Sequence, residues 1–213
     1  MSDYNWLIEQ FKIFGRDLFI QGVIAAHSGN MSVRVGDKML ITRSGAMLGN
    51  LTEKDVVSVN IADDSLDEQM NASREVIVHR EIYRRCDTQA IVHAHTPYGI
   101  VLSLLEQEII PVDAEGFYYY KDVPILDVKE TIASPAVAQN LPALFDKSNI
   151  VMVRGHGSFA IGNTFEEAFL YTSSFANACK INYLLRAASP TIYNNVTLKN
   201  RINGGKNNET RSY

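Results

Sequence analysis

The chain has 213 residues, 46% hydrophobic and 21% charged, enough for one substantial core, with no shift in composition to mark a second domain. A formal net charge of -4 and a pI near 5.7 leave no basic footprint for nucleic acid, and Lys and Arg are scattered rather than gathered. No apolar run reaches the roughly eighteen residues of a membrane helix, and the N-terminal stretch has neither a basic leader nor a small-residue cleavage site, so no membrane partner is expected. Cys86 and Cys179 lie far apart without a CxxC pattern, which favours reduced thiols and a cytoplasmic setting.

Residues 4–22 place Trp6, Leu7, Phe11, Phe14, Leu18 and Phe19 near a 3.6 period, which predicts an amphipathic helix ending at Gly22 with Ser2 or Asp3 as N-cap. NMSVRVGDKMLITRSG reads as two strands around a Gly36-Asp37 hairpin, and DVVSVNI as a third strand. The acidic stretch ADDSLDEQMNAS reads as a loop, and SREVIVHREIYRRC as a helix capped by Ser73. The strand AIVHAH follows. NIVMVRGHGSFAIG is two short apolar runs meeting at Gly155-His156-Gly157, and Thr164 with Glu167 forms a capping-box pattern ahead of a long helix. From Arg201 the chain is polar, which divides it into a domain over 1–200 and a tail over 201–213. Strands and helices without regular alternation predict a single α/β domain with a mainly antiparallel or mixed sheet.

Successive strand side chains point to opposite faces, so His93 and His95 emerge on one face, where two imidazoles can share a cation. An HxH pair alone is a weak signal, because a lone histidine is ordinarily a satisfied core or strand-end residue. His156 adds to it: its flanking glycines let the backbone bend closely around a ligand. Three histidines with a water or a carboxylate suit zinc. Glu75 and His79 lie four apart on the predicted helix, as half of a metal site or as an ordinary structural contact, and His27 in HSGNMS is a further candidate. HSGNMSVR, TRSGAMLG and Ser73-Arg74 are short, hydroxyl-bearing stretches next to strands or a helix start. Such stretches can cradle an anion, although each alone is commonly just a turn.

Taken in order, SGNMSVR, MLITRSG, SREVIVH, IVHAHTPY and RGHGSFAIGNTFEEA closely resemble the class II aldolase and adducin head family, over about residues 5–190. The resemblance implies a three-layer α/β/α domain around a mainly antiparallel sheet and a fourfold homotetramer with active sites between subunits. It places zinc ligands at His93, His95 and His156, carries the family's glutamate onto Glu75, and gives His79 no metal role. It maps phosphate contacts onto Asn30, Ser44, Gly45, Ser73 and the position of Arg74. The implied reaction is cleavage of a phosphorylated ketose, fuculose-1-phosphate-like, into dihydroxyacetone phosphate and an aldehyde through a metal-stabilised enediolate.

Two departures from the family pattern leave alternatives open. The aldolases usually read Ser-Ser-Glu where this chain has Ser73-Arg74-Glu75, so Arg74 serves either a phosphate or a substrate carboxylate. The tyrosine that neighbouring subunits contribute as proton donor aligns with Glu115, leaving Glu115, Tyr118, Tyr119, Tyr120 and Tyr213 as candidates. Related reactions in the family, 4-epimerisation, dehydration and decarboxylation of sugar phosphates, therefore stand as alternatives. A non-catalytic scaffold of the adducin kind is another, although such a head needs no metal ligands.

Overall fold

A computed structural model describes residues 3–62 and 71–206. Helix α1 (Asp3–Ile20) leads into a hairpin of β1 (Asn30–Val35) and β2 (Lys38–Thr42), followed by β3 (Val56–Asn60), α2 (Val76–Arg85) and β4 (Ala90–Ala94). The middle of the chain adds α3 (Pro97–Leu105), β5 (Glu108–Ile109), α4 (Ala114–Tyr119), β6 (Val123–Leu126) and α5 (Pro135–Asn140). The chain continues through β7 (Ile150–Val153), β8 (Gly157–Gly162), α6 (Phe165–Ala188) and α7 (Pro190–Lys206). Eight strands form one sheet in the order β3-β2-β1-β4-β8-β7-β6-β5, and only the β6–β7 pair is parallel.

The sheet is covered on both faces, so β4, β7 and β8 are buried at every position. That is why β7 reads IVMV, continuously apolar, and why β4 and β8 carry only His93 and Ser158 as polar side chains. On one face α2 and α5 pack over Met39, Ile41, Ile91, Phe159 and Ile161. On the other, α1 and α6 cover Met31, Val33, Leu40 and Val92, and Leu102 of α3 with Phe175 of α6 extends that core over Ile150 and Met152. Fully burying a phenylalanine such as Phe11, Phe159 or Phe175 stabilises by roughly 1.5–3 kcal/mol, so these layers hold the sheet ends that carry the site rigid.

Several sequence expectations shift at element ends. Helix α1 stops at Ile20, and Gly22 follows in a left-handed turn at φ +68°. Ser73 does not cap α2: the helix begins at Val76 with Glu75 in the cap position, and the Ser73 hydroxyl only accepts from the Glu75 N–H at 3.3 Å. Ser73 is instead tied to the sheet, its N–H donating to the Thr42 carbonyl. Strand β4 ends at Ala94, so His95 lies one residue past it. Thr164 caps α6 as expected, accepting from the Glu167 N–H, but the Glu167 carboxylate returns to Asn163 rather than to Thr164. Helix α7 continues to Lys206, anchored where Asn200 donates to the Pro111 carbonyl and Arg201 pairs with Glu108 at 3.0 Å. Ser2 as a cap, most of the acidic stretch at 63–70, and Tyr213 lie outside the described residues.

Candidate functional site

Antiparallel pairing brings the candidate residues to one end of the sheet. Asn30 opens β1 opposite His93 near the end of β4, β2 finishes at Thr42 beside the start of β1, and Ala94 faces Ser158 just after the β7–β8 turn. The segment at 71–73 is laced to the same end, because Ser44 N–H donates to the Asn71 carbonyl and Ser73 N–H to the Thr42 carbonyl. The nine residues that the family resemblance maps to metal, glutamate and phosphate roles, Asn30, Ser44, Gly45, Ser73, Arg74, Glu75, His93, His95 and His156, line a single cleft of about 290 Å³.

His93, His95 and His156 form a near-equilateral triangle with ring centroids 4.8–4.9 Å apart, and one ligand nitrogen from each lies within 4.8 Å of the others. The His93 Nδ1–H donates to the Ser158 carbonyl at 2.9 Å, which leaves Nε2 as the free lone pair, 3.0 Å from Nε2 of His95. Its cross-strand partner Phe159 stacks against the ring at 4.0 Å, fixing its plane. Burial, reinforced by the neighbouring His156 and His95, holds His93 well below its ordinary pKa. Burial also lowers His95, and takes His156 down to about 4. Three neutral imidazoles converging at this spacing are a donor set suited to zinc, with a further coordination position for water or substrate.

Gly157 lets the turn come this close. A methyl group there would sit 2.7 Å from the Ala94 carbonyl oxygen, 2.9 Å from His93 Cε1 and 3.0 Å from His95 Cδ2. Gly157→Ala is accordingly expected to weaken metal binding by about 10–100-fold, as displaced supports of metal ligands do, measured by competition with a chromophoric chelator.

Glu75 sits beside the triangle, 5% exposed, with Oε1 3.8 Å from His156 Nε2. Oε1 accepts the Ala133 N–H at 2.9 Å, whereas the buried Oε2 has no protein partner among the described residues. Burial pushes its pKa from 4.5 up to about 7, against the opposing Ala133 N–H and the charge of Arg74. Ala133 holds a left-handed φ of +49°, uncommon for alanine and in keeping with backbone strain kept at a working site. Nothing in the local sequence signals Ala133, whereas Arg43, inside the TRSGAMLG stretch but not itself singled out, also lines the cleft and pairs with Asp55 at 2.7 Å. His27 lies at the rim with Nδ1 2.9 Å from the Gly45 carbonyl, as a turn histidine does.

Among the described residues, the proton-donor candidates do not line this cleft. Glu115 and Tyr118 to Tyr120 lie on or just after α4, and the three tyrosines line a different depression. Tyr120 is buried and donates its hydroxyl to the Tyr171 carbonyl at 2.7 Å, as a packed residue does.

Residues 11–183 match the family described as the Class II Aldolase and Adducin N-terminal domain, and the chain belongs to that family. It is 27% identical over 177 residues to an L-fuculose phosphate aldolase of Methanocaldococcus jannaschii, covering 83% of this chain and 95% of the relative. It is also similar to rat alpha-adducin, 30% identical over 156 residues, which span 68% of this chain and 20% of adducin. The crystal structure of an L-fuculose-1-phosphate aldolase from Thermus thermophilus superposes with a TM-score of 0.82 at 34% identity, covering 87% of this chain and 96% of that one. Among the described residues no helix is long and apolar enough to cross a membrane.

Proposed function

We propose that the protein is a zinc-dependent aldolase that cleaves a phosphorylated ketose, of the fuculose 1-phosphate kind, into dihydroxyacetone phosphate and an aldehyde. The observation that carries this reading is the meeting, in one cleft, of three neutral imidazoles, a buried carboxyl with a pKa near 7, and hydroxyl-bearing turns suited to a phosphate. His93 through Nε2, together with His95 and His156, would hold zinc, which would supply Lewis-acid polarisation of the substrate's carbonyl and adjacent hydroxyl. Glu75 moves a proton through its unpartnered Oε2, at the carbon that is left carrying charge when the carbon–carbon bond breaks. Asn30, Ser44, Gly45 and Ser73 bind the phosphate, with Arg74 at the rim adding a guanidinium that suits either a phosphate or a carboxylate.

The cleft is lined by no tyrosine among the described residues, so the acid that protonates the departing aldehyde oxygen comes from a neighbouring subunit of a homotetramer or from the C-terminal tail. The two free cysteines accord with a cytoplasmic enzyme. A second reading within the family, an epimerase, dehydratase or decarboxylase of a sugar phosphate, draws on the guanidinium of Arg74 beside the cleft. Incubation of zinc-loaded protein with fuculose 1-phosphate and ribulose 1-phosphate, with triose phosphate followed in a coupled assay, tests the choice. Release of dihydroxyacetone phosphate from either substrate is expected. Zinc-dependent turnover that keeps all carbons in one product, or that gives off carbon dioxide when a phosphorylated sugar acid is supplied instead, would replace the aldolase reading with the second one.

A further inference from the structure

Behind the phosphate end of the cleft runs a buried chain of four polar side chains. Tyr83 Oη lies 2.8 Å from Ser32 Oγ, Ser32 Oγ 2.7 Å from His79 Nδ1, and His79 Nε2 2.6 Å from Asn30 Oδ1. Tyr83, Ser32, His79 and Asn30 are between 0% and 6% exposed, so water is not available to substitute for any of these partners. His79 touches neither the cleft nor the metal position directly, which leaves its burial without a use in the proposed reaction.

The direction of the chain follows from hydrogen-bond counting. Burial pushes His79 down to about 3, so the ring is neutral and has one donor nitrogen and one acceptor nitrogen. If Asn30 donated to His79, then His79 would donate to Ser32 and Ser32 to Tyr83. The buried Tyr83 hydroxyl proton would then have no acceptor, because Ser32 is its side-chain partner among the described residues. A buried unsatisfied hydroxyl is costly, and the opposite direction leaves none: Tyr83 donates to Ser32, Ser32 to His79, and His79 Nε2–H to Asn30 Oδ1. The Asn30 oxygen is thereby occupied, and its amide NH₂ is the end left over for the cleft.

We propose that His79 is a positioning residue and that the Tyr83–Ser32–His79 relay locks the Asn30 side chain so that it presents hydrogen-bond donors, and not its oxygen, to a phosphate. The inference rests on the phosphate-binding reading of the cleft. An asparagine free to flip would offer an anion its acceptor oxygen in one of its two orientations, and the relay removes that choice before substrate arrives. Tyr83 stands at the end of the chain away from Asn30, so it influences the anion through hydrogen-bond direction alone.

The test compares parent, His79→Leu, His79→Gln and Tyr83→Phe as metal-loaded protein, reading inorganic phosphate binding by calorimetry together with KM and kcat for the sugar phosphate. Expected for His79→Leu is phosphate binding weaker by about tenfold or more and a matching rise in KM, with metal content unchanged, since a hydrogen bond to a charged group is lost. His79→Gln keeps a donor near the Nε2 position and is expected to recover most of the affinity. Tyr83→Phe, nearly isosteric, releases the direction of the chain and is expected to weaken phosphate binding several-fold with kcat little changed. Should His79→Leu fold poorly, Tyr83→Phe decides alone. Phosphate binding by the parent that His79→Leu and Tyr83→Phe leave unchanged overturns the relay and leaves the sugar-phosphate reading intact. A parent that binds no phosphate overturns both.

Discussion

His93→Ala is expected to lower bound zinc from one ion per chain to none after dialysis, and to slow turnover by roughly 10³-fold or more, because the polarisation a metal supplies amounts to several kcal/mol. Of the three proposed ligands His93 has the most fixed ring, held by the Ser158 carbonyl on one side and by stacked Phe159 on the other, and its Nε2 meets His95 Nε2 at 3.0 Å. Removing it leaves two imidazoles and a wider gap. His93 is fully buried, so the substitution also leaves a cavity. His95→Ala, at a half-buried position past the strand end, provides the comparison: the same loss of zinc and turnover is expected with less cost to folding. Turnover retained in both variants would remove the metal from the mechanism.

Glu75→Gln is expected to lower kcat by about 10²–10⁴-fold while bound zinc stays near one per chain, since it removes a proton carrier and keeps the shape of the side chain. The same change has an opposite effect on stability, and its pH dependence follows from the raised pKa. The folded state takes up the Glu75 proton below about 7, the unfolded chain only below about 4.5. Between those values the folded state binds more protons, so this carboxyl's contribution is most favourable at low pH. It is lost as pH rises through 7, a cost of about 3 kcal/mol at pH 8. Glutamine carries no such cost. Metal-free Glu75→Gln is therefore expected to be more stable than the parent at pH 8 and nearly equal to it at pH 5, as read from urea unfolding at the two values. A variant less stable than the parent at pH 8 would contradict the assignment of burial as the dominant influence on Glu75.

The parts of this site that the sequence announces are those built from local patterns. The period of two in AIVHAH puts His93 and His95 on one side, Gly36-Asp37 marks the β1–β2 hairpin, and the glycines around His156 mark a turn that must pass close to something. The meeting of those pieces is set by strand order, with β4 between β1 and β8, which no local pattern encodes. The resemblance to the family supplied the grouping of those residues, but not the strand order that produces it. The stretch at 97–148 stayed unassigned because its elements are short: β5 has two residues and α4 and α5 six each, too few for a period to register. Ala133 and the His79 relay were equally hidden, the first because a left-handed alanine has no sequence mark, the second because Asn30, Ser32 and His79 meet only when α2 lies across the sheet.

The most direct test of the central claim, that a single metal ion on three histidines drives carbon–carbon cleavage, is a zinc titration of chelator-stripped protein with dihydroxyacetone phosphate release followed continuously. Release near zero in the metal-free protein, rising linearly and levelling at one zinc per chain, is the predicted result. Release that proceeds at the same rate in chelator as at full zinc loading would contradict it.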